Sequence, residues 1–265
     1  LSVYLSNGEM PEGSYDESKN GVPITIAMNL SPEEYFESFN RLLTDNHAYP
    51  EDNELLRELA ELGIGAGMRF NPPLSSKELE KFWCEMKERL MPKLIKKTLG
   101  FMVRNGSFKF YGDPISRFGT EYEYRCLVAI AGFGANTVET AVYLKAEEDD
   151  SGEKLNAMNK YLLHFTADGL PPVGEHGFWS VTAYGDDDFL ISNPLDRYAI
   201  SNRSDFKLNE DNSLDLILQT EEPNENKGNW LPVGSDGFHL FLRIYRPDNS
   251  VLNGIWEAPK ITKID

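Results

Sequence analysis

Cysteine is scarce in this sequence. Its two cysteines, Cys84 and Cys126, belong to no Cys-x-x-Cys pair and have no histidine at a metal-ligand spacing. The pattern therefore gives no support to a disulfide framework or a structural zinc site. Both residues lie in segments with apolar periodicity, so we expect buried free thiols.

Histidine-based metal motifs and long apolar runs are also missing. The four histidines, His47, His164, His176 and His239, show no His-Glu-x-x-His spacing, and we expect no cofactor. No apolar run approaches the roughly 20 residues of a membrane-spanning helix. The first residues do not combine a basic start with an apolar stretch, so no leader peptide is indicated.

Basic residues are outnumbered. The chain has 26 Lys and Arg against 43 Asp and Glu, which gives a formal net charge of −17. A surface of this charge repels phosphate backbones and anionic lipids. We therefore expect a soluble protein that binds neither nucleic acid nor a membrane, in a compartment that the sequence does not define.

The remaining composition is typical of a folded protein, with 40% hydrophobic and 12% aromatic residues in a chain of 265. Residues 1–30 are predicted to form an extended arm, with a short strand over Val22–Met28. Residues 31–137 are predicted to be helical, and residues 138–265 to form a β-sandwich. The expected fold class is α+β, with the helical segment packed on an antiparallel sandwich.

Three helix starts carry Ser or Thr followed three residues later by Glu, the pattern of a capping box. They are Ser31, Ser75 and Thr120. Another helix is predicted to end at Gly63, because glycine most easily adopts the left-handed conformation that caps a helix. The glycines at 63, 65 and 67 lack a phosphate-loop pattern and predict a turn. Pro92 predicts a kink in the helix that starts at Ser75.

From residue 138 the apolar period changes to two, which indicates strands. Turns rich in Gly, Pro, Asn and Asp separate them, as in a sandwich or barrel. The predicted strands are Lys160–Phe165, Phe178–Tyr184, Arg197–Ser201, Leu214–Thr220 and Phe238–Tyr245.

Alternation along these strands predicts a polar and aromatic face opposite the core. In the last strand, Leu242 belongs to the core face, whereas Arg243 and Tyr245 belong to the other. Such a face is either an ordinary solvated surface or the lining of a groove for a polar ligand. The candidate ligand-binding residues are His164, Trp179, Arg197, Tyr198, Trp230, Arg243 and Tyr245.

Each candidate also has a structural explanation. Trp179 and Trp230 are as consistent with core packing as with a ligand platform. Arg197 and Arg243 are candidates for structural ion pairs first and for anion binding second. No Gly-x-Ser-x-Gly motif supports a hydrolase, and the run Asp186–Asp188 lacks the pattern of a calcium loop.

Five motifs in the C-terminal half resemble, in order and spacing, a family known as domain of unknown function 1214. They are Tyr161–Phe165, Pro171–Pro172 with Phe178–Thr182, Asn193–Pro194 with Arg197–Tyr198, Asn229–Pro232, and Leu242–Tyr245. The resemblance covers residues 140–264 and implies a sandwich of jelly-roll type with helices alongside, in bacterial proteins without an established activity.

A second resemblance concerns the segment before the sandwich. Gly132–Asn136, with Glu139 and Ala141–Tyr143, is similar to the connector that joins this family to a companion, domain of unknown function 1254. We expect most of that companion to be missing from this chain.

Three hypotheses for function follow. The first is a ligand-binding module, associated with carbohydrate or another small polar ligand. The second is a structural protein that forms homo-oligomers through sheet edges. The third is a hydrolase or lyase that uses His164 or His239 as a general base.

Overall fold

The computed structural model describes residues 23–264. The chain divides into two compact units, Leu1–Met91 and Pro92–Asp265, and the contacts between residues are concentrated within each unit. Most of the predicted arm lies outside the described residues. Pro23–Asn29 forms helix α1, so the strand predicted over Val22–Met28 is wrong where it is described. The β-branched composition favoured a strand, but proline also fits the first turn of a helix, where its missing N–H costs nothing.

The first unit continues with helices α2, Pro32–Leu42, α3, Asn53–Ala60, and α4, Ser76–Glu85. The capping boxes predicted at Ser31 and Ser75 are both present. A π-helical segment, Met86–Leu90, follows α4, and α5, Met91–Thr98, begins at the boundary between the units. The π-helical segment precedes Pro92, which cannot donate a hydrogen bond to the preceding turn, and it interrupts the regular helix that starts at Ser75.

Asn40 of α2 organises the glycine-rich loop that follows α3. Its Nδ2 donates to the carbonyl oxygens of Gly63 at 2.8 Å and Met68 at 2.9 Å, while its Oδ1 accepts from the Gly65 N–H at 2.8 Å. Gly63 has φ +72°, and a Cβ there would lie 2.1 Å from the carbonyl oxygen of Arg69. The predicted turn is therefore confirmed.

The second unit contains ten strands in two sheets. The strands are β1 Met102–Asn105, β2 Phe108–Tyr111, β3 Ala141–Ala146, β4 Lys160–Phe165, β5 Val173–Gly185, β6 Ala199–Ser201, β7 Leu214–Gln219, β8 Trp230–Pro232, β9 Phe238–Pro247 and β10 Ile261–Ile264. A six-stranded sheet has the order β1-β2-β3-β9-β5-β6, and a four-stranded sheet has the order β10-β4-β7-β8. The α+β class is confirmed, although β7 and β8 are parallel, so the smaller sheet is mixed.

The inner faces of both sheets enclose one apolar core. Leu242 of β9 has no exposed surface, as the alternation predicted for this strand, and Leu216 of β7 is equally buried. Phe165 of β4 stacks on Trp179 of β5 with 5.7 Å between ring centroids. Burial of such side chains contributes about 1.5–3 kcal/mol each.

The hairpin β1–β2 is a feature that the sequence did not predict, because it lies within the segment 31–137 that was assigned to helices. Asn105 fastens it by donating to the carbonyl oxygen of Trp256 at 2.9 Å and accepting from the Ala258 N–H at 2.6 Å. Ser107 adds a bond from the Ile261 N–H at 3.0 Å. The hairpin is thus tied to the C-terminal segment after helix α7, Asn249–Leu252.

Two helix predictions need correction. Helix α6, Tyr122–Ala131, has Glu121 rather than Thr120 at its N-cap position, and no side chain caps it.

Cys84 and Cys126 are exposed, because neighbouring residues such as Trp83 and Leu127 occupy the buried side of their helices. Within residues 23–264, no helix combines the length and apolar character needed to cross a membrane.

We predict that Asn40→Ala destabilises the first unit by about 3 kcal/mol, because three hydrogen bonds are lost and buried backbone groups lose their partners. Urea unfolding followed by circular dichroism at 222 nm would measure this. Asn46→Ala is the matched control, since that exposed amide makes one bond, to the Leu42 carbonyl. Equal effects of the two substitutions would contradict the role given to Asn40.

Candidate functional site

The side chains that alternate with the core positions of β3, β5 and β9 form one surface, which we call the outer face. Pairing of β9 with β3 and β5 sets their rows, so that Ser180 and Tyr143 both lie opposite Arg243. The members are Tyr143, Lys145, Phe178, Ser180, Thr182, Tyr184, His239, Phe241, Arg243 and Tyr245.

Arg243 is the central cation of the outer face. Its Nη1 donates to Oγ1 of Thr182 at 3.1 Å, and its Nη2 donates to the Tyr184 hydroxyl at 2.8 Å. The guanidinium carbon lies 5.3 Å from the centroid of the Tyr184 ring and 4.8 Å from that of Phe241. Within the described part of the chain, no carboxylate forms an ion pair with Arg243. Its side-chain contacts are therefore neutral hydroxyls and rings, and three of the five guanidinium N–H groups are left for a ligand.

The aromatic side chains of the outer face stack on one another across the strands. Phe178 and Tyr245 have centroids 4.4 Å apart and ring planes within 12°. Tyr184 and His239 stack at 5.6 Å and 13°. Arg203 covers Phe178 at 4.3 Å from the ring centroid. The rings thus place one face each on a neighbouring ring, and both faces of Phe178 are covered.

One end of the outer face carries a group of charged residues. Lys145 Nζ lies 3.0 Å from Oε1 of Glu147 and 3.8 Å from Oδ1 of Asp188. The same Asp188 oxygen lies 3.2 Å from Nε2 of His239, outside the alignment of a hydrogen bond, so this buried nitrogen has no hydrogen-bond partner among residues 23–264. Burial, followed by the charge of Lys145, lowers the pKa of His239.

Tyr245 and Tyr143 form the other end of the outer face. Their ring centroids are 6.1 Å apart, with the planes nearly perpendicular. The Tyr143 hydroxyl accepts a hydrogen bond of 2.6 Å from Nδ2 of Asn136. Burial, followed by the proximity of Tyr143, raises the pKa of Tyr245. Its hydroxyl is therefore a neutral hydrogen-bonding group at physiological pH.

The two tryptophans proposed as ligand contacts are buried. Trp179 is 2% exposed and belongs to the core between the sheets, which removes it from a ligand site. Trp230 is 5% exposed, and its Nε1 donates to the carbonyl oxygen of Gln219 at 2.8 Å. Strand alternation indicates which of the two faces of a sheet a tryptophan lies on. The sequence does not show whether another segment of the chain covers that face.

The other candidates lie apart from Arg243 and Tyr245. Arg197 donates to the backbone carbonyl oxygens of Lys227 and Trp230, so it fixes a loop and makes no ion pair there. The Tyr198 hydroxyl donates to Asp196 at 3.2 Å. His164 of β4 lies on the four-stranded sheet with Nδ1 2.6 Å from Oδ1 of Asp215 of β7.

Sequence reasoning missed the contribution of β3 and of the turn after β5. Tyr143 and Lys145 alternate with Val142 and Leu144, which are buried, and this period of two was the available signal. Asp188, which adopts a left-handed φ of +61°, could not be placed beside His239 from sequence spacing.

Two cavities have none of the outer-face residues in their lining. A cavity of about 620 Å³ lies beside the hairpin β1–β2 and α7, with Phe110, Val142 and Trp256 among its lining residues. A second, of about 570 Å³, lies around Met158 and Thr220. Among the described residues, no three His, Cys, Asp or Glu side chains are arranged to hold a metal ion.

Comparisons with known proteins agree with the fold and indicate no activity. Residues 140–249 match the model of a family described as a protein of unknown function, DUF1214. The crystal structure of the VPA0106 protein from Vibrio parahaemolyticus is similar over 97% of this chain, with TM-score 0.64 and 21% identity. This likeness shows the fold alone, and the chain spans 59% of the length of that protein.

A structure of an uncharacterized protein from Burkholderia cenocepacia covers 73% of this chain and is itself covered over 45% of its length. Its TM-score is 0.35 and its identity 12%. No curated protein matches the chain significantly.

We predict that His239 makes stability depend on pH. Because its folded pKa lies below its unfolded value, the unfolded chain binds the proton more readily, and the free energy of unfolding falls as pH decreases from 7 through the folded pKa. His239→Gln should remove this part of the pH dependence in urea unfolding between pH 8 and pH 5. His176→Gln changes an exposed histidine and should keep the pH dependence of the unaltered protein. If the free energy of unfolding changed with pH equally in both variants, His239 would not be the cause of this dependence.

Proposed function

We propose that this chain is a ligand-binding protein whose outer face recognises a small polar ligand through a carboxylate, with a sugar acid as the expected class. The observation that carries the proposal is that Arg243 has no carboxylate partner among the described residues. In a chain with 43 acidic and 26 basic residues, a half-buried arginine would readily find a carboxylate, yet its described partners are hydroxyls and rings.

The chemistry of the guanidinium favours a carboxylate ligand. Its planar fork matches the two oxygens of a carboxylate, and such charge-assisted pairs are stronger than neutral hydrogen bonds. Thr182 and Tyr184 fix the orientation of the fork before a ligand arrives. The neighbouring Phe241 ring displaces water on one side, which lowers the local dielectric and strengthens the attraction.

The hydroxyl groups around Arg243 suit the remainder of a sugar acid. Ser180 lies in the same row on one side and Tyr143 on the other, so donors and acceptors flank the guanidinium. Because the aromatic rings stack on each other and Arg203 covers Phe178, fewer ring faces are left to stack on a neutral sugar. The carbohydrate hypothesis is therefore narrowed to sugars that carry a negative charge.

The two alternatives have weaker support. A structural protein that pairs through sheet edges would need long edge strands, whereas β1, β6, β8 and β10 have three or four residues each. A hydrolase or lyase would use the pair His164 and Asp215 or the pair His239 and Asp188. Like Arg243, neither histidine lines one of the two cavities described above, so this alternative is supported by the histidine–carboxylate pairs alone. Ligand binding therefore ranks first.

We also propose that residues 132–143 correspond to the connector of the companion domain of unknown function 1254. The support is indirect: nearly the whole chain is similar to the VPA0106 protein, which is longer than this chain. The segment before the sandwich would then belong to a larger assembly of domains.

The test is calorimetric titration with D-glucuronate and D-glucose. We expect glucuronate to bind and glucose not to bind, because the main interaction is made with the carboxylate. Arg243→Lys should weaken glucuronate binding at least about tenfold, since a lysine lacks the two-pronged donor geometry.

Arg117→Lys is the matched control, because Arg117 already has a carboxylate partner, Glu139, at 2.8 Å. Glucuronate binding should be unchanged in this variant. Equal binding of both sugars, or equal loss in both variants, would refute the carboxylate site. A concentration-independent dimer by light scattering, without any ligand response, would favour the structural alternative.

A further inference from the structure

His239 is buried at the charged end of the outer face, and its Nε2 has no hydrogen-bond partner in the part of the chain that the structure describes. Polar atoms in this state are rare in folded proteins and usually have a specific role. The charged residues around the ring come from β3 and the chain just after it and from the turn that follows β5. They are Lys145, Glu147, Asp186 and Asp188.

Two ring contacts connect His239 with Arg243. The imidazole stacks on Tyr184, whose hydroxyl accepts the bond from Nη2 of Arg243. The imidazole also packs edge to face against Phe241 at 5.7 Å, and Phe241 lies under the guanidinium. A charge on His239 would therefore act on an anion at Arg243 across a distance on the order of 10 Å, through packed rings rather than open water.

Asp188 is positioned to respond to that charge. It lies on an exposed turn, with its side chain 77% exposed, and faces both Lys145 and His239. Protonation would give Nε2 of His239 a hydrogen and a positive charge, which favours a hydrogen bond to Asp188. The negative charge of Asp188 would then be shared between His239 and Lys145 and would neutralise less of the charge of Lys145. The net positive charge at this end of the outer face therefore increases.

We infer that protonation of His239 strengthens the binding of an anionic ligand at Arg243, which makes the outer face a proton-linked binding site. This inference rests on the proposed function. By linkage, an anion bound at Arg243 must favour the protonated form of His239 to the same extent. At an effective dielectric between those of protein surface and water, one charge at this distance changes affinity about two- to fourfold.

The experiment is calorimetric titration with D-glucuronate at several pH values from 5 to 8 and constant ionic strength. The sugar carboxylate stays ionised throughout this range. We expect affinity to rise about threefold toward pH 5 in the unaltered protein. His239→Gln cannot be protonated in this range, so its affinity should not change with pH.

A second pair of variants tests the role of Asp188. Asp188→Asn keeps a residue type that tolerates left-handed backbone and removes the charge that favours protonated His239. Its rise in affinity should occur at lower pH than in the unaltered protein. Asp187→Asn is the control, because Asp187 uses Oδ1 to accept the Phe189 N–H, and its curve should match the unaltered protein.

Nuclear magnetic resonance of the His239 ring separates the outcomes. Addition of D-glucuronate should raise the pKa of His239 in the unaltered protein, and at the same concentration it should raise this pKa less in Arg243→Lys, which binds the ligand more weakly. If glucuronate binds equally well at all pH values and does not move this titration, the inference is wrong while the proposed function stands. If glucuronate does not bind at any pH, both are wrong.

Discussion

The antiparallel pairing of β5 with β9 determines both faces of the larger sheet. Residues Phe178–Gly185 pair with Phe238–Tyr245 in one unbroken register. Because side chains alternate, this register places Trp179 and Leu242 in the core and Arg243 on the outer face. A slip of one residue would exchange the two sets and bury the guanidinium. The apolar core that fixes the register therefore also fixes the candidate site.

Features that depend on neighbouring residues could be predicted from the sequence. The caps predicted at Ser31 and Ser75 are confirmed. They could be predicted because a capping box depends on only four consecutive residues. The strand Lys160–Phe165 and the two faces of β9 follow from alternation alone. Thr120 has the same spacing to a glutamate as the two serines, yet it does not cap a helix, since the chain there enters α6 one residue later.

Features that depend on distant residues could not be predicted. Arg197 donates a hydrogen bond to the backbone carbonyl oxygen of Trp230, 33 residues away, and the sequence does not show which loop packs on which strand. The contact of Asp188 with His239 joins a turn to a strand about fifty residues away and requires the sheet order β3-β9-β5. The alternation suggested a polar face, whereas the absence of an acidic partner for Arg243 among the described residues is visible only in three dimensions.

The attachment of the hairpin β1–β2 has a consequence for synthesis of the protein. The partners of Asn105 and Ser107 in the C-terminal segment are 151 to 154 residues away in sequence. The N-terminal part of a chain leaves the ribosome first. These bonds therefore cannot form until Trp256, Ala258 and Ile261 have left the ribosome as well. Until then the side chains of Asn105 and Ser107 lack these partners, and the hairpin is joined to the rest of the sheet through the pairing of β2 with β3.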